Sequence, residues 1–337
     1  MKRILSSILF VLTLVLCGCA PSQNTPGSGE TAATVAQASF AHRYATASEA
    51  KDLLFSNREY YAGFSQNDLD YRMQKTGATM EEYQAFAAKQ TLDFTDDEKA
   101  MLDKRLAEMA KSVAERGYTL PPLDEIVFVK TTMAEERSAG GYTHGTTVFL
   151  AASILEYLAQ HTKDGDPATL VTEFLWHEIF HCLTRNNPDF RANMYQLIHF
   201  TIRDTDFVLP PSVREYHISN PDVEHHDASA IFRIDGKDVE CFTDFITTQH
   251  FQKKGDEFFD YATTALVPVD GTDVFYKPEQ VSNFDEVFGA NTKYVVDPEE
   301  CMADNFAFAL TWGTAGRDGN GYNSPHIIEG ILAYLSQ

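Results

Sequence analysis

The chain has 337 residues, 44% of them hydrophobic and 23% charged, with 27 lysines and arginines against 49 aspartates and glutamates and a formal net charge of −22. That length can bury a sizeable core as one or two packed subdomains. So acidic a surface argues against binding nucleic acid or anionic lipid headgroups, and it names no substrate.

The chain opens MKRILSSILFVLTLVLCGCA. Lys2 and Arg3 precede an apolar run from Ile4 to Leu16, too short to span a bilayer comfortably but suited to a secretory signal. The run ends in Leu16-Cys17-Gly18-Cys19, which resembles a bacterial lipobox. The resemblance implies a signal peptide over residues 1–18 and a lipid on Cys19. With Ala20 next, it implies sorting to the outer membrane of the cell envelope. Such a chain is anchored to the membrane and does not cross it. Residues 19–40 are small and polar and read as a flexible tether. Cys182, Cys241 and Cys301 fit no thiolate zinc spacing and read as small core residues. An oxidising compartment would still permit one disulfide, and Cys182 with Cys301 is the pair to examine.

Residues 41–120 read as a helical N-terminal region. The clearest helix is FTDDEKAMLDKRLAEMAKSVAERG, with Thr95 as cap, Glu98 completing a capping box, and Gly117 as stop. Residues 121–187 change character. EIVFVKTT has strand composition, GGYTHGTTVFLA offers two extended pieces around Gly145, and a helix is expected from about Ser153 to Gln160. Asp166 and Pro167 then start a helix that runs to about Arg185. Residues 188–337 begin with a helix near Phe190 to Arg203. A hairpin turning at Asp235–Gly236 follows, then a mainly helical remainder that includes DPEECMADNFAFALTW. The order of elements predicts an α+β fold.

The helix after Pro167 carries LWHEIFHCLT. Residues four apart share a helix face, so His177 and His181 present two imidazoles to one point, as a zinc ion requires. Glu178 lies about 100° further round the helix. It is poorly placed to ligate but able to take a proton from water as a general base. Phe174, Leu175, Ile179, Phe180 and Leu183 bury this helix, and two buried histidines with a glutamate would be costly without partners.

A third protein ligand is needed. The metzincin pattern would have glycine at 184 and histidine at 187; the chain has Thr184 and Asn187. His177-Glu178-Ile179-Phe180-His181 together with Glu300-x-x-x-Asp304 resembles a gluzincin, or thermolysin-like, metallopeptidase. The resemblance covers few residues, and the chain between its two motifs is much longer than in thermolysin. It implies one zinc ion held by His177, His181 and Glu300. Asp304 would accept the spare N–H of a ligand histidine. Glu299 is the neighbouring candidate ligand, but its position four residues on is Ala303. The resemblance further implies a zincin-like small mixed sheet, with an edge strand within Tyr142 to Ala151 that pairs with a peptide substrate. GTAGRD, ending at Asp318, is similar to the aspartate motif of aspzincins but falls one residue late. An oxyanion donor would come from His217, His225, His226 or Tyr294, and spacing does not choose among them.

The expected function is therefore zinc-dependent peptide-bond hydrolysis with Glu178 as general base. Its partners are a peptide or protein substrate and, through the lipid alone, a membrane. Two alternatives stand beside it: a periplasmic or surface binding lipoprotein with a structural zinc, and a cell-wall amidase.

Overall fold

A computed structural model describes residues 40–137, 139–161 and 167–337. The expected signal peptide, Cys19, the tether up to residue 39, and Asp166 lie outside the described residues.

Strand β1 (His42–Tyr44) leads into helices α1 (Ala47–Leu54), α2 (Arg58–Ala62), α3 (Gln66–Met73) and α4 (Met80–Ala87). Thr46, Asn57, Ser65 and Thr79 start these helices, each side chain accepting from a first-turn N–H. Strand β2 (Thr91–Leu92) precedes α5 (Asp96–Glu115), which carries the expected capping box between Thr95 and Glu98. Strands β3 (Ile126–Thr131), β4 (Gly141–His144) and β5 (Thr147–Ala151) follow. Then come helices α6 (Ala152–His161), α7 (Pro167–Asn186) and α8 (Pro188–Gln196). The remainder holds β6 (Thr201–Ile202), α9 (Pro211–Arg214), β7 (Ala228–Ile234), β8 (Lys237–Thr247), β9 (Ala262–Pro268), α10 (Phe284–Phe288), α11 (Pro298–Trp312) and α12 (Pro325–Leu335). The architecture is α+β.

The first sheet has the order β1-β3-β5-β4, with β2 also paired to β3. Strands β1, β3 and β5 are parallel, and β4 turns back antiparallel to β5 through Gly145 at φ 60°. Alternate side chains sort to opposite faces. Ile126, Phe128, Val148 and Leu150 join the main core with α7 and α11, while Val127, Val129, Phe149 and Ala151 pack under the N-terminal helices. The motif helix therefore lies against one covered face of this sheet.

Two expectations change here. The region 41–120 is not wholly helical, because β1 and β2 extend the first sheet. At three and two residues, these strands are too short to show a period of two. The part after residue 188 is not mainly helical either. The hairpin at Asp235–Gly236 forms, both residues at positive φ. It sits inside a four-stranded sheet of order β6-β7-β8-β9. The strand missed, ATTALVP, ends in a continuous apolar run without alternation, which suits a buried strand as well as a helix.

A buried ionic knot joins the N-terminal helices to the loop before β7. Arg72, 1% exposed, pairs with Asp68 and Glu136 and donates to the Tyr60 hydroxyl and the Ser219 carbonyl. Removing one partner of such a network strands the others. Arg72→Met is expected to cost about 3–5 kcal/mol. Urea unfolding checks this, and an unmoved midpoint would refute it.

Candidate metal centre

Helices α7 and α11 bring the candidate ligands together. On α7, Leu175, Trp176, Ile179, Phe180, Cys182 and Leu183 are buried, which fixes the helix in the core and turns His177 and His181 toward α11. On α11, Asp297 accepts from the Glu299 N–H and Pro298 occupies the first turn, so the helix starts just before Glu300. One ligand atom from each of His177, His181 and Glu300 lies within 4.8 Å of the others.

The orientation of both rings is set from behind. His177 Nδ1 meets Asp304 Oδ1 at 2.9 Å, and His181 Nδ1 meets Glu299 Oε1 at 2.9 Å. Glu299 is steadied in turn by the Thr184 hydroxyl at 2.6 Å and the Tyr195 hydroxyl at 2.6 Å. Both Nε2 atoms therefore face Glu300, at 3.1 Å from its Oε2 for His177 and 3.7 Å for His181. His181 is fully buried, yet its Nε2 has no hydrogen-bond partner among the described residues. An orphaned buried nitrogen beside a buried carboxylate is what an ion-binding group leaves open.

In the absence of an ion the His177 ring and the Glu300 carboxylate pair with each other. Burial works against a charge on His177, but the hydrogen bonds it donates to the Asp304 and Glu300 carboxylates outweigh it and raise its pKa well above the usual histidine value. Burial likewise works against a charge on Glu300, but the His177 hydrogen bond and the nearby His181 bring it down to about 2. This cluster could hold a metal ion.

Glu178 stands next to the group and is buried. Its Oε2 accepts from the Thr143 hydroxyl of β4 at 2.8 Å. Burial raises its pKa, against the pull of His177 and His181. Strand β4 comes this close because Gly141 has no side chain: a Cβ there would stand 2.7 Å from Phe174 Cζ and 3.0 Å from Glu178 Oε1.

The edge of β4 that faces away from β5 is already engaged. The Thr143 N–H donates to Asp222 Oδ1 at 2.7 Å, and the Gly145 N–H to Glu224 Oε1 at 3.1 Å. Arg185 braces this segment through the Asp222 carbonyl at 2.9 Å and the Glu224 carboxylate at 3.0 Å. Asp222 also reaches this cluster, its Oδ1 lying 3.9 Å from His181 Nε2. Burial, then the charges of Glu178 and Glu300, raise the Asp222 pKa well above the usual carboxylate value. Asn220 donates to Glu300 Oε1 at 2.5 Å.

Of the four oxyanion candidates, Tyr294 sits at the group, its hydroxyl 3.1 Å from Glu300 Oε1. His217 and His226 instead share Asp244, and the exposed His225 faces Asp206 at 3.4 Å. Asp318 lies in an exposed turn with Asn320, apart from the His177, His181 and Glu300 cluster. Cys182, Cys241 and Cys301 are free and buried, as small core residues would be, and no bridge joins the two ligand helices.

Asn220 and Asp222 were not foreseen, and Glu299 was weighed only as a ligand. Glu299 neighbours the candidate ligand Glu300 and orients His181, which two adjacent buried acids at a helix start could have signalled. Asn220 and Asp222 lie in irregular chain, where no periodicity points inward. Asp304→Asn or Glu299→Gln is expected to weaken divalent-metal affinity about 10–100-fold by releasing one ligand ring. Competition against a chelating dye checks this, and wild-type affinity in both variants would be the contrary result.

Comparison of the chain with protein-family models, with curated proteins and with solved structures finds no match in any of the three.

Proposed function

We propose that the chain is a zinc-dependent, gluzincin-like metallopeptidase with a zincin-like fold, held at the bacterial outer membrane by a lipid on Cys19. The single observation behind this is the convergence of His177, His181 and Glu300, with Glu178 buried at their side. A structural zinc site has no need of a carboxylate in that position. The first sheet supports the zincin-like likeness, since parallel strands end in an antiparallel edge strand whose Thr143 touches the motif helix.

Bound zinc would polarise the scissile carbonyl and acidify water. Glu178 takes a proton from water and passes it to the leaving amine. The Thr143 hydroxyl aims it, and burial moves its pKa toward working pH. The Tyr294 hydroxyl donates to the developing oxyanion. A peptide backbone pairing with β4 displaces Asp222 and Glu224 from the edge donors.

Digestion of a random peptide library by the full chain, read by mass spectrometry, tests this. New termini should appear, vanish with a chelator and return with added zinc. A library left intact under all three conditions would sink the proposal. One observation favours the structural-zinc alternative: Asp222 lies close enough to His181 to serve as a fourth protein ligand.

A further inference from the structure

The segment 219–224 touches three parts of the candidate centre at once. Asn220 donates to Glu300 Oε1 at 2.5 Å. Asp222 Oδ1 accepts the Thr143 N–H at 2.7 Å and lies 3.9 Å from His181 Nε2, the nitrogen left without a partner. Glu224 accepts the Gly145 N–H at 3.1 Å.

These are the places a peptide needs. A backbone added to a strand edge bonds to its outward N–H groups, and the carbonyl to be cut comes to the ion. Asp222 puts a carboxylate oxygen where such a backbone would put a carbonyl: on the edge N–H next to the ion site. Two ligands held about 2.1 Å from a tetrahedral ion lie about 3.4 Å apart. At 3.9 Å from His181 Nε2, Asp222 therefore stands at the rim of the coordination shell, beside the three residues whose ligand atoms converge.

The segment is held by clamps and not by a ladder. Residues 218–227 belong to no helix or strand. Asp68 accepts the Ser219 N–H at 2.9 Å, and Arg72 donates to the Ser219 carbonyl at 2.7 Å, so the N-terminal helices fix one end. Arg185 of the motif helix fixes the other through the Asp222 carbonyl and the Glu224 carboxylate. Between the clamps the chain folds on itself, the Val223 N–H donating to the Asn220 carbonyl at 3.1 Å and the Asp222 N–H to Asn220 Oδ1 at 3.0 Å. Lifting this turn costs a few side-chain bonds and breaks no helix or sheet hydrogen bond.

We propose that segment 219–224 is a self-inhibitory strap, which closes the chain's own centre by seating Asp222 on the β4 edge beside the ion site and must lift before a peptide can enter. This rests on reading the centre as a peptidase.

Binding and cleavage are measured separately. Cobalt(II)-loaded full chain is titrated with acetohydroxamate, which needs only an open position on the ion, and with N-acetyl-dialanine hydroxamate, which needs the strand edge as well. Visible absorption reads both. Asp222→Ala should bind the peptidyl probe at least about tenfold more tightly than wild type, a difference of roughly 1.4 kcal/mol. Glu224→Ala, which removes the Gly145 cap and leaves Asp222 in place, should shift the peptidyl probe in the same direction and leave acetohydroxamate unchanged. Both variants should keep one cobalt per chain. Unchanged peptidyl affinity in the two variants overturns the proposal. Loss of cobalt from Asp222→Ala also overturns it, because Asp222 would then be a ligand the site requires. In the zinc-loaded chains, wild-type cleavage of a random peptide library as fast as that by Asp222→Ala sinks the strap and leaves the peptidase. Tighter peptidyl binding in the variants, with no cleavage by any of the chains, supports the strap and sinks the peptidase.

Discussion

Glu178→Gln is expected to keep its full complement of zinc and to hydrolyse peptides about 10²–10⁴-fold more slowly. The glutamine preserves the shape of a side chain that sits buried between α7 and β4, and it can still meet the Thr143 hydroxyl. What it loses is the capacity to accept a proton. The ligand set is untouched, because His177, His181 and Glu300 are oriented by Asp304, Glu299 and Asn220. Metal analysis beside kcat/KM on one cleaved peptide reads both halves of the expectation. A variant as fast as wild type would remove Glu178 from the chemistry and favour a structural role for the metal.

Glu300→Ala should abolish stoichiometric zinc, and with it all metal-dependent cleavage. The loss should exceed the roughly 10–100-fold cost of disturbing a partner behind a ligand. Here the carboxylate itself disappears from between two imidazoles, 3.1 Å from one and 3.7 Å from the other. Elemental analysis after dialysis checks the outcome. Retained zinc at one per chain would shift the third-ligand role elsewhere, with Asp222 first in line because it lies 3.9 Å from His181.

The elements that could be read from sequence are those with a strong local code. The cap and stop of α5, the extended pieces around Gly145 and the long helix holding both histidines follow from short-range rules. The four-residue spacings within α7 and α11 placed His177 with His181 and Glu300 with Asp304, and the fold brings the two pairs face to face. The rest depends on chain far apart in sequence. The pairing of β1 with β3 spans more than eighty residues, and Arg72 reaches Ser219 across 147. Segment 219–224 meets β4 through side chains on irregular backbone, a contact that leaves no periodic trace. Glu299 was visible as a residue but not as a role, because orienting a ring on another helix is settled by packing.

The carboxylates on β4 have a consequence for how the molecule behaves in company. An outermost strand with unused N–H groups is a template for self-association, the more so at high local concentration. Here the Thr143 N–H is capped by Asp222 and the N–H of the adjoining turn residue Gly145 by Glu224, and Arg185 holds Glu224 in place. A stray strand from a neighbouring copy would have to break two hydrogen bonds and an ion pair before gaining any of its own. At Thr143 and the adjoining turn, pairing with a second copy would therefore come at the cost of contacts the chain already makes.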